Sequence, residues 1–329
     1  MRTLLEAICA DETNDDPRLV YADALMQSGD EVTYARGEFI VIQCKLAQTD
    51  CLPVERKTLK ARERALLEAY KKSWLATLYL TAKEREHVNF HRGFIDRITM
   101  PLTLFVKIAP ALAMNPRLFL NVTDVEKNFE PLRSEAMLRV KHLMLNSCNI
   151  SDEGAKAMAQ SKYLQNITHL DLRYNRIRNE GAVAMAQSEY LQNLTTLLLW
   201  GNRISDEGAV AIAQSEYLRN LTHLDLRYNS IGNEGAAAIA QSEYLRNLQH
   251  LNLSGDGIGN EGAAAIAQSE HLQSLTHLGL SSNYISDEGA KAIAQSKYLR
   301  KLTHLGLSTN NISDEGAALL RKRWPFVEI

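Results

Sequence analysis

The sequence predicts an α/β solenoid, in which short parallel strands alternate with helices, preceded by an N-terminal helical domain. A block of 27 residues occurs seven times without slippage, each time with a D/N-E-G-A tetrapeptide. Upstream of each tetrapeptide lies the pattern L-x-x-L-x-L-x-x-N-x-I, clearest from Leu221 to Ile231. Six of the seven prolines lie at or before Pro131, as expected if a regular stack of strands and helices follows. The glycines of the tetrapeptides are Gly154, Gly181, Gly208, Gly235, Gly262, Gly289 and Gly316.

This period and this pattern resemble the leucine-rich repeat, which has one strand and one helix in each unit. The helices end in a segment such as S-E-Y-L, which makes residues 138–318 similar to the ribonuclease-inhibitor type of repeat. The resemblance implies a right-handed, strongly curved horseshoe with a parallel sheet on its concave side and helices on its convex side.

The first 137 residues are predicted to fold differently from the regular repeats. Residues 1–87 should form a helical domain, with breaks at 14–17 and 28–30 and a charged amphipathic helix over 55–80. Residues 94–100 alternate like a strand, 102–114 resemble a helix, and 117–123 resemble a second strand. We therefore expect degenerate repeats over 88–137, seven regular repeats over 138–318, and a C-terminal cap over 319–329, because an open solenoid end exposes its core.

Four N-terminal motifs occur together: Pro17-Arg-Leu-Val-Tyr-Ala-Asp23, Arg36-Gly-Glu-Phe-Ile40, Gln43-Cys-Lys-Leu-Ala47 and His91-Arg-Gly-Phe94. This combination resembles the bacterial repeat-companion domain, a short helical module that precedes repeat arrays. Ala24 stands where tryptophan is usual, so the packing of that helix is expected to differ. The family has no assigned activity to carry over, and the resemblance leaves the function open.

Within each repeat, the leucines of the strand pattern should point inward and the residues between them should face the concave surface. An internal ladder of asparagine amides should satisfy the backbone at the turn, since an orphan polar group costs about 1–3 kcal/mol. Cys148 and Asp256 replace the asparagine in the first and fifth repeats, and an ionised Asp256 cannot donate a hydrogen bond. Acidic or amide residues such as Asp152 are predicted to cap the helices that they begin. The ladder asparagines are Asn175, Asn202, Asn229, Asn283 and Asn310.

The concave columns of repeats two to four differ from those of repeats five to seven, which carry small and polar groups. An apolar centre ringed by arginine and tyrosine has the composition of a protein-binding hot spot. The alternative is that one repeat has drifted and its tryptophan packs flat on its neighbours. The predicted partner-binding residues are Trp200, Leu198, Asp171, Arg173, Tyr174, Asp225, Arg227 and Tyr228.

A column of six histidines runs along the same face, interrupted by Thr196. Neighbouring strands lie only ~4.8 Å apart, so these imidazoles could hold a metal ion with Asp171 or Asp225. We expect instead that they stack without metal. Protonation of stacked imidazoles should then lower the melting temperature at pH 5.5 relative to pH 7.5.

Composition excludes several functions. A net charge of −2 argues against a general affinity for nucleic acid or for anionic membranes. Apolar runs fall short of the ~20 residues of a membrane span, and the N-terminus does not read as a signal peptide, so we expect a cytoplasmic protein. The four cysteines lack the paired spacing of a disulfide framework or a zinc site. We expect no cofactor.

The leading interpretation is a non-catalytic scaffold that binds an unidentified protein on the concave face of the solenoid. One alternative is a targeting subunit or effector whose activity resides in, or is recruited by, the N-terminal domain. Another is a protein that binds carbohydrate or other surface ligands. A Ser-His-Asp reading of Ser254, His223 and Asp225 is discounted, because an open sheet face provides no oxyanion hole.

Overall fold

A computed structural model describes residues 1–11, 13–112, 118–125 and 128–329 of the chain. It divides into two units, the first comprising Met1–Asp124 with Arg139–Lys141 and the second comprising Val125–Leu138 with His142–Ile329. Among these residues no helix is both long enough and apolar enough to cross a membrane. The elements of the first unit are α1 (Arg2–Ala10), α2 (Asp16–Met26), α3 (Glu31–Ala47), α4 (Pro53–Trp74), α5 (Ala82–Glu86), β1 (Val88–His91), β2 (Phe94–Met100), α6 (Leu102–Ile108) and β3 (Leu118–Val122).

Helices of the first unit begin at local sequence signals but end earlier than the periodicity predicts. Proline occupies the first turn of α2 and α4, and the Asp30 carboxylate caps α3 by accepting from the Thr33 amide at 2.7 Å. The helix predicted over 55–80 stops at Trp74, and Ala76–Leu78 form a 3₁₀ turn. Leu75 and Leu78 are buried, so the apolar pattern continues past the end of the helix.

The segment over residues 88–123 also differs from the elements predicted for it. The helix predicted over 102–114 ends at Ile108 and continues as a 3₁₀ turn over Ala109–Leu112, because Pro110 cannot donate to an α-helical ladder. Residues 113, 114 and 117 of the predicted helix and strand lie outside the described residues. Strand β1 was not predicted, and it pairs antiparallel with β2 through a turn at Arg92-Gly93 with positive φ angles of 48° and 85°.

Residues of the N-terminal motifs connect the helices to this hairpin turn. The Gly93 amide donates to Gln43 Oε1 at 2.6 Å, while Gln43 Nε2 donates to Glu63 Oε1 at 2.8 Å. Arg92 Nη1 lies 3.1 Å from Asp15 Oδ1. These contacts give the motif residues a structural role within the first unit.

The second unit contains the regular repeats, and the predicted α/β solenoid with its parallel sheet is confirmed. Adjacent strands from β4 to β10 pair parallel, and equivalent residues stand opposite one another, as Leu197 does with Leu224. The strands are β4 (Val140–Met144), β5 (His169–Asp171), β6 (Thr196–Leu198), β7 (His223–Asp225), β8 (His250–Asn252), β9 (His277–Gly279) and β10 (His304–Gly306). The helices are α7 (Asp152–Ala159), α8 (Asn179–Ala186), α9 (Asp206–Ala213), α10 (Asn233–Gln241), α11 (Asn260–Gln268), α12 (Asp287–Ala294) and α13 (Asp314–Arg323).

The leucines and isoleucines of the repeat pattern form the core of this unit. In the fourth repeat Leu221, Leu224, Leu226 and Ile231 are at most 1% exposed. Small alanines such as Ala236 are also fully buried, which allows each helix to approach the sheet closely. The face of the sheet that carries the histidine column, opposite to these inward leucines, is called the open sheet face below.

Asparagine side chains bond the repeats to one another beneath this face. Asn202 Nδ2 donates to the carbonyl oxygens of Leu199 in its own repeat and Leu172 in the preceding repeat, at 2.8 and 2.9 Å. Its Oδ1 accepts from the Ile177 amide at 3.0 Å. Asn175, Asn229, Asn283 and Asn310 make the equivalent three contacts.

Asp256 interrupts this ladder. Its Oδ1 accepts from the Asn229 amide at 2.9 Å, whereas its Oδ2 is buried and has no hydrogen-bond partner among the described residues. The side chain is 2% exposed, and burial raises the pKa of Asp256 to about 8. The carboxyl group is therefore largely protonated at neutral pH.

A second ladder joins the helix starts, and here the predicted capping was wrong. Asp152 is the first residue of α7 and does not cap it; its Oδ1 instead accepts from Arg178 and Gly181 amides, at 2.7 and 2.9 Å, at the start of α8 in the next repeat. The glycine of the tetrapeptide makes room for this contact. A Cβ atom at Gly181 would lie 2.7 Å from Asp152 Oδ1 and 2.8 Å from Ile177 Cγ2.

The C-terminal segment lies along the last strand. The Glu328 amide donates to the Leu305 carbonyl at 2.9 Å, and the Leu307 amide donates to the Glu328 carbonyl at 2.6 Å. Trp324 is 5% exposed. Part of the hydrogen-bonding edge of β10 is thereby covered.

Candidate functional site

Strands β5, β6 and β7 place the predicted binding residues side by side on the open sheet face. Each strand is followed by a residue with positive φ, at Tyr174 (54°), Gly201 (70°) and Tyr228 (51°). The two tyrosines are 54% and 53% exposed, and Trp200 lies half-buried between them. Tyr174, Trp200 and Tyr228, together with Leu198, Asp171, Arg173, Asp225 and Arg227, are called the aromatic patch below.

The indole of Trp200 contacts aromatic and cationic groups on both sides. Its ring centroid lies 4.9 Å from that of Tyr174 and 5.9 Å from that of Tyr228, at interplanar angles of 45° and 31°. The guanidinium carbon of Arg227 lies 4.1 Å from the indole centroid, a cation–π contact. The ring packs on its neighbours, as the alternative interpretation expects, and it also keeps part of its surface in solvent.

Two aspartate–arginine pairs flank the tryptophan and hold the arginines in fixed orientations. Arg173 donates to both carboxylate oxygens of Asp171, at 2.9 and 2.7 Å. Arg227 donates to Asp225 in the same bidentate manner, at 2.9 and 2.7 Å. The hydrogen bonds to Asp171 raise the pKa of Arg173 above its usual value. An arginine that is already oriented loses little side-chain entropy when a partner binds.

Leu198 lies at the junction between the aromatic patch and a shallow groove over repeats four to seven. The groove has a volume of about 290 Å³ and is lined by Leu198, His223, Asp225, His250, Asn252, His277, Gly279 and His304. Sequence reasoning did not predict it. The pair Gly279 and Gly306 is not a sufficient signal, because the Asn252 side chain fills the space beside Gly279.

The histidine column forms two stacks, separated by Thr196. His142 and His169 stack with centroids 3.8 Å apart, and His250 stacks with His223 and His277 at 3.9 and 4.0 Å. Burial, followed by repulsion from the neighbouring imidazoles, lowers the pKa of His250 to about 4. The same causes lower the pKa of His223.

Candidate catalytic groups occupy unfavourable positions. Ser254 Oγ donates to Asn252 Oδ1 at 2.7 Å rather than to a histidine. Cys44 is buried, and desolvation together with the nearby Asp15 carboxylate raises the pKa of its thiol to about 12, so it is not a thiolate nucleophile. In the described part of the chain, no group of three or more His, Cys, Asp or Glu side chains is arranged to hold a metal ion.

Comparison with known proteins agrees with the repeat architecture. The family described as "Leucine Rich repeat" matches seven segments, at residues 140–159, 163–186, 190–213, 217–240, 244–267, 271–294 and 298–320. The fold is similar to a crystal structure of an internalin (inlF) from Listeria monocytogenes, with 20% sequence identity and a TM-score of 0.43. The alignment covers 69% of this chain and 56% of the internalin chain. No curated protein sequence matched the chain.

Proposed function

We propose that this protein, whose residues 140–320 are seven leucine-rich repeats, is a non-catalytic scaffold that binds a partner protein on the concave face of its solenoid. The observation that carries the proposal is the aromatic patch, in which Trp200 is held between two half-exposed tyrosines and below the Arg227 guanidinium. Tryptophan, tyrosine and arginine dominate the binding energy of protein interfaces.

The fixed geometry of the repeats supports this function physically. Neighbouring repeats are bonded through the helix-start ladder and through the asparagine ladder, which Asp256 interrupts, so the surface is ordered before the partner arrives. Binding then costs little conformational entropy. On this proposal residues 1–87 are a repeat-companion domain and the repeats are of the ribonuclease-inhibitor type, in a cytoplasmic bacterial protein.

The buried Cys44 thiol and the engaged Ser254 hydroxyl favour a binding role over catalysis by these two groups. Binding of nucleic acid is disfavoured by the net charge of −2. The partner is therefore expected to be a protein with a surface that accepts an aromatic and arginine cluster.

Affinity capture from a lysate of the source organism tests the proposal. Trp200→Ala should weaken the affinity for the partner by about 30-fold or more, which corresponds to the loss of a hot spot worth about 2 kcal/mol, and should therefore reduce the amount of partner recovered. Tyr284→Ala is the matched control, because Tyr284 is 69% exposed and lies outside the patch. Equal capture by wild type and Trp200→Ala, with both proteins folded, would show that the patch does not bind the partner.

A further inference from the structure

The groove beside the aromatic patch presents a row of hydrogen-bond acceptors. We call His223, His250, His277 and His304 the histidine row; their ring centroids are separated by 3.9, 4.0 and 5.5 Å along the groove. The side chain of Asn252 fills the space beside Gly279. The four imidazoles line the groove together with Asn252 and Asp225.

Threonine hydroxyls determine the tautomer of two of these imidazoles. Thr222 Oγ1 and Thr276 Oγ1 each lie 3.1 Å from a carbonyl oxygen of the preceding repeat, to which they donate their single proton. They also lie 3.0 and 2.9 Å from Nδ1 of His223 and His277. Since each hydroxyl has already used its proton, it accepts from Nδ1–H, and Nε2 keeps a free lone pair.

No protein donor occupies these lone pairs. Among the described residues, Nε2 of all four imidazoles is without a hydrogen-bond partner, as the contacts of His223, His277 and His304 all involve Nδ1. The rings stack nearly parallel, with interplanar angles of 14° between His223, His250 and His277. The Nε2 lone pairs of His223 and His277 thus point in similar directions and do not converge on a metal ion.

The charges around the groove favour a cationic ligand. Asp225 forms one wall, and Glu328 Oε1 lies 3.9 Å from His304 Nδ1 at the other end. The residues that line the groove include no lysine or arginine. Arg227 is paired with Asp225 and lies against Trp200. Within the described ranges no lysine or arginine is paired with Glu328, whose ionic contact is with His304.

We propose that the histidine row binds an arginine side chain of the partner protein, whose guanidinium N–H groups donate to Nε2 of His223 and His277 while its charge is attracted by Glu328. This inference rests on the proposed function, because the partner protein supplies the arginine. A guanidinium suits the site better than an ammonium, since it is more weakly hydrated and presents several donors in one plane. The groove adjoins the aromatic patch through Leu198 and Asp225, so one partner surface can reach both.

A small-molecule probe tests the groove without the partner. N-acetyl-arginine-methylamide should cause saturable shifts of the ¹⁵N imidazole resonances of the histidine row at pH 7.5, observed in ¹H–¹⁵N correlation spectra. The neutral N-acetyl-norleucine-methylamide should cause none. Protons on Nε2 of His223 and His277, absence of saturable shifts, or equally tight binding of N-acetyl-lysine-methylamide would overturn the proposal.

Variants locate the probe. His277→Phe keeps a ring in the stack but removes the acceptor, and should weaken arginine binding by about two- to tenfold, the value of one hydrogen bond. His169→Phe is the matched control, because His169 stacks with His142 on the other side of Thr196. If His277→Phe fails to fold, His223→Phe serves instead. An effect of His169→Phe as large as that of the groove variant contradicts the site.

The two proposals fail separately. If wild type captures a partner through Trp200 but the arginine probe does not bind, the groove proposal is wrong and the scaffold function stands. If the probe binds but Trp200→Ala captures partners as well as wild type does, the arginine-binding proposal for the groove is supported and the partner-binding role of the aromatic patch is wrong.

Discussion

Replacement of Asp256 by asparagine should stabilise the repeat array, and more so at alkaline pH. The buried Oδ2 atom occupies the position from which other ladder residues donate to two carbonyl oxygens, as Asn283 Nδ2 does to Leu253 and Leu280. In the fifth repeat the corresponding carbonyls belong to Leu226 and Leu253. An ionised carboxylate there places negative charge against two acceptors, whereas an asparagine amide donates to both.

The sign and size of the effect follow from the raised pKa. Asp256 has a folded-state pKa of about 8 against an ordinary value of 3.8. The folded protein therefore holds a proton that the unfolded chain has lost, and its stability falls as pH rises from about 4 to about 8. At 1.36 kcal/mol per pH unit the ceiling is about 6 kcal/mol. Relaxation around the charge lowers this, and we expect about 2–4 kcal/mol between pH 5 and pH 9.

The assay is thermal unfolding of wild type and Asp256→Asn, followed by circular dichroism at pH 5, 7 and 9. The variant should melt about 5–15 °C above wild type at pH 9, with a smaller difference at pH 5. The reciprocal variant Asn283→Asp should introduce the same pH-dependent loss in the sixth repeat. A difference between variant and wild type that does not change from pH 5 to pH 9 would refute the reasoning.

Two further predictions concern the histidine row and the helix-start ladder. In the Asp256→Asn background, Tm should be lower at pH 5.5 than at pH 7.5. The reason is that the lowered pKa of His250, about 4, keeps the folded ring neutral, while unfolded histidine takes up a proton below about 6.5. His250→Phe should reduce this difference in Tm, and an unchanged difference would exclude the histidine stack as its source. Gly181→Ala should destabilise the array by about 1–3 kcal/mol, since its Cβ would meet Asp152 Oδ1 at 2.7 Å. Denaturant unfolding measures this loss, with Val183→Ala in the same helix as the control. Equal stability of Gly181→Ala and wild type would contradict the steric argument.

The opposite signs of these two titrations explain why wild type alone is a poor test of either. Acidification charges imidazoles in the unfolded chain that stay neutral when folded, and so lowers stability. Asp256 has the opposite effect: its folded carboxyl group keeps a proton that the unfolded chain has lost, so acidification raises stability. Between pH 5.5 and pH 7.5 the two contributions oppose each other, so only the comparison with Asp256→Asn separates them.

The repeat core was predictable because its signal is periodic and local. Leucines such as Leu224 recur at fixed spacing, and each copy supports the interpretation of the others. The first unit gave weaker signals: β1 is four residues long, and its turn at Arg92-Gly93 carries no hairpin signature of the Asn-Gly kind. Asp152 accepts two hydrogen bonds from the start of the next helix, from residues 26 and 29 positions further along the chain. Rules for helix starts consider only neighbouring residues and do not predict such bonds.

Some features of the candidate site were also predictable from the sequence, and others were not. Comparing aligned columns identified Trp200 and its neighbours, because residue type alone distinguishes them from the other repeats. The pairing of Arg227 with Asp225 and its stacking on the indole depend on side-chain geometry. The free Nε2 of His277 depends on which acceptor takes the Thr276 proton, and that becomes visible only when successive strands are placed in register.

Asp256 also lies where the two surfaces of the open sheet face meet. A ladder residue bonds its own repeat to the preceding one, so Asp256 weakens the joint between repeats four and five in particular. Tyr228 of the aromatic patch belongs to the fourth repeat, while His250 of the histidine row belongs to the fifth. The placement of His250, His277 and His304 relative to the patch therefore depends on this joint. Since its strength changes with the protonation of Asp256, wild type and patch variants must be compared at one pH, and Asp256→Asn is not a neutral background for measurements of binding.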